Sequence, residues 1–546
     1  MTDLDAIQVE IIRNALVAAA EEMSVTIWRT SRSSVVRDIL DYSTCVFDAD
    51  GGAVAQSTAI PIHLNSMPAC LSEILANHIP IEDWEDGDII ICNDPYAGGQ
   101  HLPDIQTFKP VFHEGRRIAI AGILVHHLDV GGGAAGSYDP SATEIHQEGF
   151  RIPPLKIAER GKRNEAVVKL LLRNTREPAN VGGDFASQLA ALDTGAVNLT
   201  RLAGRYGTDL LTAAMATIQD QSEAAMRAMI RAIPDGTYGF EDFVDDDGID
   251  RDRPIRIAVS LTVAGDEVAI DLTGSSGQAR GPVNCTLAMS HSAVMCGVMM
   301  ALGTEIPANA GCYRPVSLTA PAGTVVNCTS PAPVANRMAT GHRIVNAVMG
   351  AFHQAMPGSV PAAYYGVSYA YALNCIHGDG RRQVYFDLEC GGWGGHPEED
   401  GANAFSCGLH NISNAPVEML ENSLPIQFQE YALVPDSGGR GRSRGGLGLA
   451  RAFRLEAETG VFAANLERFK VRPYGLDGGE PGQPGRLTVA RTDGHVEELP
   501  SKVAGLAVAK GDVIRLQTAG GGGYGDPAER TEAARADDRT NGYTSE

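Results

Sequence analysis

Apolar positions set the first element of the chain. Ile12, Leu16, Met23 and Ile27 recur at near-helical spacing while Arg13, Asn14, Glu21 and Glu22 occupy other faces, so the pattern predicts a helix from about Asp5 to Arg29. From Tyr42 the period shortens. Cys45-Val46-Phe47, the turn sequence Asp48-Ala49-Asp50-Gly51-Gly52 and Ala53-Val54-Ala55 read as a hairpin. The turn Glu85-Asp86-Gly87-Asp88 feeds Ile89-Ile90-Ile91-Cys92, a continuously apolar run expected to be a buried strand. A second hairpin turns at His113-Glu114-Gly115-Arg116 into a strand from Ile118 to Val125. Helical spacing returns from about Asn164 to Arg173 and from about Asp184 to Arg231, broken near Arg205-Tyr206-Gly207, and stops at Ile233-Pro234-Asp235-Gly236.

Beyond that stop the alternation of Ile255, Ile257 and Val259, then of Val268, Ile270 and Leu272, predicts antiparallel strands. A Met-rich helix near Ala288 to Leu302 and another from Gly341 to Met356 are embedded in strands, turns and Gly-rich loops. Pro527 to Glu546 is polar and mixed in charge, a tail expected to fray. No repeat of solenoid period is present. The expectation is a mixed α/β, multi-module chain with mixed and antiparallel sheets plus packed helices. Its modules would be residues 1–236, a strand-rich 237–356 with the Met-rich helix, a Gly-rich β module at 357–529, and a flexible tail at 530–546.

Composition narrows the function classes. A chain of 546 residues with 44% hydrophobic and 20% charged residues is an ordinary globular protein of several modules. The 44 basic against 67 acidic residues give a net charge of −23, which repels nucleic-acid backbones and anionic membranes. The start Met1-Thr2-Asp3-Leu4-Asp5 is acidic and lacks the basic and apolar regions of a signal peptide. The longest apolar stretch, Ala293 to Leu302, is about half a membrane span. Ten cysteines without a C-x-x-C pair read as buried reduced thiols, and the expected compartment is the cytoplasm.

Chemistry concentrates in two segments. Cys92-Asn93-Asp94-Pro95-Tyr96-Ala97-Gly98-Gly99-Gln100-His101-Leu102-Pro103-Asp104 leaves a buried strand through Asp-Pro and Gly-Gly turns, and His101 and Asp104, three apart in an irregular loop, can converge. Val125-His126-His127-Leu128-Asp129 ends the next strand, where successive side chains face opposite ways, so only one of His126 and His127 enters a given site. Asp41 is a third carboxylate candidate. Two imidazoles and two carboxylates suit Zn²⁺, Mn²⁺ or Fe²⁺. Spacing alone leaves three readings open: a metal site, loop histidines that cap turns, and general acid–base use without a metal.

These segments, with Gln147-Glu148-Gly149-Phe150-Arg151-Ile152-Pro153-Pro154, Gly281-Pro282-Val283-Asn284, Pro331-Ala332-Pro333-Val334, Asp436-Ser437-Gly438-Gly439, Arg444-Gly445-Gly446 and Gly520 to Pro527, resemble the ordered signature of the hydantoinase B/oxoprolinase family from about residue 5 to 530. The resemblance implies a subunit of an ATP-dependent cyclic amide hydrolase acting on 5-oxoproline, a hydantoin or a lactam. An ATP-using hydantoinase A-type partner would activate the substrate in a hetero-oligomer such as α2β2. It implies metal ligands at Asp41, His101, Asp104 and His126, with zinc the first choice and manganese or iron alternatives. His126 is preferred because the family keeps the first position of the pair. Asp129 would orient a ligand, His63 would line the pocket, and Asp104, Asp129 or Glu148 would handle protons while metal-bound water attacks the activated amide. Two alternatives remain: a subunit of a ketone carboxylase of the acetone or acetophenone type, and a non-catalytic scaffold for the ATPase.

Other motifs carry less. Asp436-Ser437-Gly438-Gly439 lacks the preceding Gly and the partner segments of a serine protease and reads as a turn. No G-x-S-x-G elbow occurs, and Gly520 to Gly525 is followed by no Gly-Lys-Ser/Thr.

Overall fold

The computed structural model describes residues 5–303 and 306–545. Residues 1–4, most of the acidic start read above for targeting, lie outside it. Helix α1 (Ala6–Thr30) is capped by Asp5, whose side chain accepts from the Ile7 N–H, and it buries Ile12, Leu16, Met23 and Ile27. There follow α2 (Ser34–Arg37), β1 (Tyr42–Phe47), β2 (Ala53–Gln56), α3 (Pro61–Asn77), β3 (Ile89–Cys92), β4 (Asp104–His113), β5 (Arg116–His126), β6 (Leu155–Glu159) and β7 (Lys162–Arg163). The strands form one antiparallel sheet in the order β2-β1-β5-β4-β3-β6-β7.

This sheet is covered on both faces, which explains the unbroken apolar run in β3. Ile89 and Ile91 point into a core shared with Leu16 and Met23 of α1 and with Leu192 and Leu199. Ile90 and Cys92 point the other way, against Met67, Leu71 and Ile74 of α3. Helices α4 (Glu165–Asn174), α5 (Pro178–Tyr206) and α6 (Thr208–Ile230) complete this part, with the chain breaking between α5 and α6 at Gly207, whose φ is +82°.

The second part holds β8 (Gly236–Val244), β9 (Ile255–Ala264), β10 (Glu267–Asp271), α7 (Leu287–Leu302), α8 (Ala310–Tyr313), β11 (Val316–Thr319) and α9 (Arg337–Ala355). Its sheet runs β11-β10-β9-β8, and the β10–β11 pair is parallel. Helix α9 starts four residues before the expected Gly341. Its first turn is wholly buried and includes Arg337, so no polar–apolar boundary marks the start.

Then come β12 (Tyr369–Ile376), β13 (Arg382–Glu389), α10 (Val417–Ser423), β14 (Ile426–Leu433), β15 (Leu449–Leu455), β16 (Thr459–Asn465), β17 (Arg486–Ala490), β18 (Val496–Leu499), β19 (Lys502–Ala509) and β20 (Val513–Gln517). They make two antiparallel sheets, β13-β12-β16-β19 and β14-β15-β20-β17-β18. Among the described residues the fold is therefore a mixed α/β assembly of four sheets. Residues Gly520 to Gly523 press their backbone against Ser437, Trp393, Tyr474 and Arg440, closer than any Cβ would allow, so this glycine run is a packing device.

The chain end departs from expectation. Residues Glu532–Thr540 form helix α11, whose Asp538 is buried between Arg444 and Arg530 at 3.2 and 2.7 Å. Ion pairs hold this helix, so a hydrophobic pattern could not reveal it. Among the described residues no helix is long and apolar enough to cross a membrane, and all ten cysteines are buried and free.

One apolar cluster runs through the second and third parts. It joins Leu261 of β9, Val345 of α9, Tyr371 of β12 and Phe453 of β15, and takes in Ile60, Ile62, Leu128 and Tyr138 from the first part. Where the first sheet abuts this cluster, the polar loops of the signature segments are sealed inside.

Candidate metal centre

His101 and Asp104 are brought together by a tight turn. Asp94 accepts from the Tyr96 N–H to start a short helical turn that Gly98 ends at φ +84°, and the Asp104 N–H donates to the His101 carbonyl at 3.0 Å. Asn93 fixes the loop from below, donating to the carbonyls of Leu102 and Phe150 and accepting from the Ile152 N–H. Asp104 opens β4 and pairs directly across from His126, the last residue of β5. Cross-strand neighbours in that register share one face. Asp41 stands beside them because the His126 N–H donates to its carbonyl at 3.0 Å; Leu40, just before it, has a φ of +65°, an outlying conformation for a bulky residue.

His101, Asp104 and His126 each offer a ligand atom within 4.8 Å of the others. The His101 Nε2 lies 3.1 Å from Asp104 Oδ1, yet the two are not aligned as a hydrogen bond. Both His101 ring nitrogens, Asp104 Oδ1 and His126 Nδ1 are buried without partners. Such orphans are costly in a dry interior unless something satisfies them, and a cation accepting mixed N/O donors would do so. His63, from the first turn of α3, presents Nε2 to Asp41 Oδ1 at 3.5 Å and to Asp104 Oδ1 at 3.9 Å, while its Nδ1 meets Ser43 Oγ at 3.3 Å.

Electrostatics favour a ligand set. Burial pushes His63 and His126 down to about 3, and burial together with Arg337 pushes His101 well below its usual range, so the imidazoles are neutral. Burial and the neighbouring Asp104 hold the Asp41 carboxyl well above the usual carboxylate range, a shift that a bound cation would reverse. The Arg337 guanidinium takes Asp104 Oδ2 at 2.7 Å and leaves Oδ1 facing the imidazoles.

The rest of the wall comes from distant segments. Phe386 of β13 stacks on His126 with centroids 5.5 Å apart, Tyr138 meets His101 edge-on at 5.9 Å, and Met338, Ser368, Leu388 and His410 close the cleft. The space between these side chains is about 30 Å³, room for one ion or water. A larger chamber of about 680 Å³, lined by Leu64, Met299, Met300, Trp393 and Phe405 among others, shares His410 with it.

Not every residue singled out in the sequence reaches this cleft. His127 points to the opposite face, against Phe185 and Gln188. Asp129 is brought to neither imidazole: it accepts from the N–H groups of Gly131, Gly136 and Arg176 and from the Arg176 guanidinium, so it shapes the loop leading to Tyr138. Glu148 also lies outside the lining. Burial pushes it up to about 8, and its Oε1 accepts from the N–H groups of Val334 and Ala335, securing the approach to α9 and hence Arg337. Sequence reading missed Arg337, Tyr138, Phe386, Ser368 and His410. An arginine three residues beyond the Pro331-Ala332-Pro333-Val334 motif was the one available signal. The two histidines are separable by experiment. His126→Ala is expected to lose bound metal and His127→Ala to keep it, read as metal content of the folded chain; the reverse result would put His127 in the site.

The hydantoinase B/oxoprolinase profile matches residues 5–527. The caprolactamase subunit beta of Pseudomonas jessenii is 34% identical over 567 residues, 100% of this chain and 95% of that one. The 5-oxoprolinase of Dictyostelium discoideum is 29% identical over 530 residues, 96% of this chain and 40% of that longer protein. The crystal structure of the ATP-dependent caprolactamase from Pseudomonas jessenii matches with a TM-score of 0.92 at 30% identity, covering 100% of this chain and 95% of that one. A nucleotide-free acetone carboxylase structure matches at 0.88 with 19% identity, over 98% and 78% of the two chains, a likeness of fold alone. The signature loops, the sealed cleft they build and a profile match over almost the full length agree: the chain belongs to the hydantoinase B/oxoprolinase family.

Proposed function

We propose that this chain is the metal-dependent subunit of an ATP-dependent cyclic amide hydrolase, opening a lactam, hydantoin or 5-oxoproline ring that a hydantoinase A-type partner has activated. The observation that carries this reading is the convergence of unpartnered, buried His101, Asp104 and His126 atoms in one cleft, in a chain that spans the length of a caprolactamase subunit. His101, Asp104 and His126, with Asp41 beside them, would hold zinc, or manganese or iron in its place. When bound, such an ion acidifies water and polarises a carbonyl oxygen.

The chain's own residues do the rest. Arg337 pins Asp104 so that one oxygen is kept for the ion. His63, neutral and held at Nδ1 by Ser43, lines the cleft with Nε2 toward Asp41 and Asp104, placed to hydrogen-bond and orient an attacking water. Phe386 and Tyr138 keep bulk water from the imidazoles. An amide nitrogen donates into its carbonyl and slows attack; O-phosphorylation by the partner would weaken that donation. Water would then add to the carbon, and the ring C–N bond would break with a proton delivered to nitrogen. This would leave an acyl phosphate whose hydrolysis releases phosphate and the ring-opened acid. The assembly would be a cytoplasmic hetero-oligomer such as α2β2.

The test is reconstitution with the partner and ATP. Ring-opened amino acid and ADP formed only when both subunits are present are the expected result. Consumption of a ketone and bicarbonate instead would replace this reading with a carboxylase, and full activity of the partner alone would reduce the chain to a scaffold.

A further inference from the structure

We infer that His342, Cys407 and His410 form a second, sulfur-containing metal site that takes one zinc ion on the far side of the His410 wall. One ligand atom from each of the three lies within 4.8 Å of the others. They come from separate stretches, His342 from the middle of α9 and Cys407 and His410 from the loop between β13 and α10. The Cys407 Sγ lies 3.7 and 3.9 Å from the His342 ring nitrogens, and the two imidazoles stand edge to face with centroids 5.1 Å apart.

Each imidazole already has one nitrogen committed to a hydroxyl. His342 Nδ1 meets Tyr364 Oη at 2.9 Å, and His410 Nε2 meets Ser368 Oγ at 2.7 Å, with its Nδ1 farther off at 3.4 Å. That is how metal-binding histidines are commonly held: an outer partner fixes the tautomer and aims the other nitrogen. Here His342 Nε2 and His410 Nδ1 are the nitrogens left for an ion. Burial keeps both rings neutral, pushing His342 well below its usual range and His410 down to about 3.

The donors differ in kind from those of the first cleft. Two imidazoles and a thiol select a soft or borderline ion such as zinc, whereas the first cleft offers nitrogen and carboxylate oxygen. Other sulfur surrounds the site: Cys296 donates to the Gly408 carbonyl, and its Sγ is 3.8 Å from Met300 Sδ. Cys407 and His410 both line the 680 Å³ chamber, which supplies an entry path and space for a fourth ligand. Without an ion the Cys407 thiol is held protonated by burial; binding releases that proton to solvent, so affinity falls as pH is lowered. The bound ion would cross-link α9 to the loop bearing Phe405, fixing one side of the chamber.

Cobalt(II) loading of the full-length chain tests this without any activity assay. A thiolate-to-cobalt charge-transfer band in the near ultraviolet is expected, absent in Cys407→Ser and in His342→Gln, each confirmed folded by circular dichroism. The band should survive in His101→Ala, which removes only the nitrogen–oxygen site, and zinc content should fall by about one equivalent in Cys407→Ser. No band in the wild-type chain, or one that persists in Cys407→Ser, would overturn the inference. Failure of the first site reads differently, as metal content unchanged in His101→Ala.

Discussion

Replacing His101 and Asp104 together by alanine is expected to lower bound transition metal by about one equivalent and ATP-dependent ring opening by about 10³-fold or more. The size follows from what the pair does. The unpartnered His101 nitrogens and Asp104 Oδ1 are the atoms that an ion would satisfy, and no other carboxylate of the described residues shares the three-residue cluster. Asp104 also neutralises buried Arg337, so its loss leaves a guanidinium without its carboxylate, and some stability goes with it. His101→Ala alone spares that pair and separates metal loss from unfolding. Elemental analysis beside a melting curve reads both. Unchanged metal and activity in a folded double variant would remove the proposed site.

Arg451→Ala is expected to destabilise the chain by about 3–5 kcal/mol, the usual result of stripping a buried charge pair of one partner. Arg451 is 1% exposed; its Nη1 reaches Asp387 Oδ2 at 2.6 Å and also Glu389, and its guanidinium lies over the rings of Phe428 and Tyr431 at 4.7 and 4.8 Å. Removing it leaves two buried carboxylates of β13 without their cation, with donors from the Tyr371 and Tyr385 hydroxyls and the Leu388 N–H. Because side chains alternate along a strand, Asp387 and Glu389 face Arg451 while Phe386 and Leu388 face the cleft, so ring opening should weaken along with stability. Urea unfolding measures the first effect. Adding Asp387→Asn and Glu389→Gln to Arg451→Ala should restore much of the loss; a single variant as stable as wild type would show the cluster to be idle.

How far the cleft could be read in advance depended on sequence distance. His101, Asp104 and His126 lie within one stretch of loop, strand, hairpin and strand, so the pattern of turns and apolar runs places them together. His63 and Asp41 flank the same sheet. Arg337, Phe386 and His410 arrive from elements whose packing no local period encodes, and Arg337 hides in a helical turn that is buried all round. Asp129 and Glu148 misled for a related reason. A carboxylate beside histidines in sequence looks available for proton transfer, but backbone N–H groups of neighbouring loops claim it first. The helix at Glu532–Thr540 shows the same limit, since its anchor is the pairing of Asp538 with two distant arginines.

The order of the cleft's parts along the chain has a consequence for biosynthesis. Asp41, His63, His101, Asp104 and His126 all precede residue 127, while Arg337, Phe386 and His410, which seal them in, follow more than 200 residues later. During synthesis from the N-terminus the first sheet can form and present its imidazoles while the sealing segments are still untranslated. An ion captured by the proposed site at that stage would be one that the surroundings supply at that moment, and once α9 and β13 dock, its exchange would require the packed layers to part. If the cleft holds the proposed ion, its identity would be set by the conditions of expression, and a preparation made in zinc-poor, manganese-rich medium should retain manganese through later dialysis against zinc.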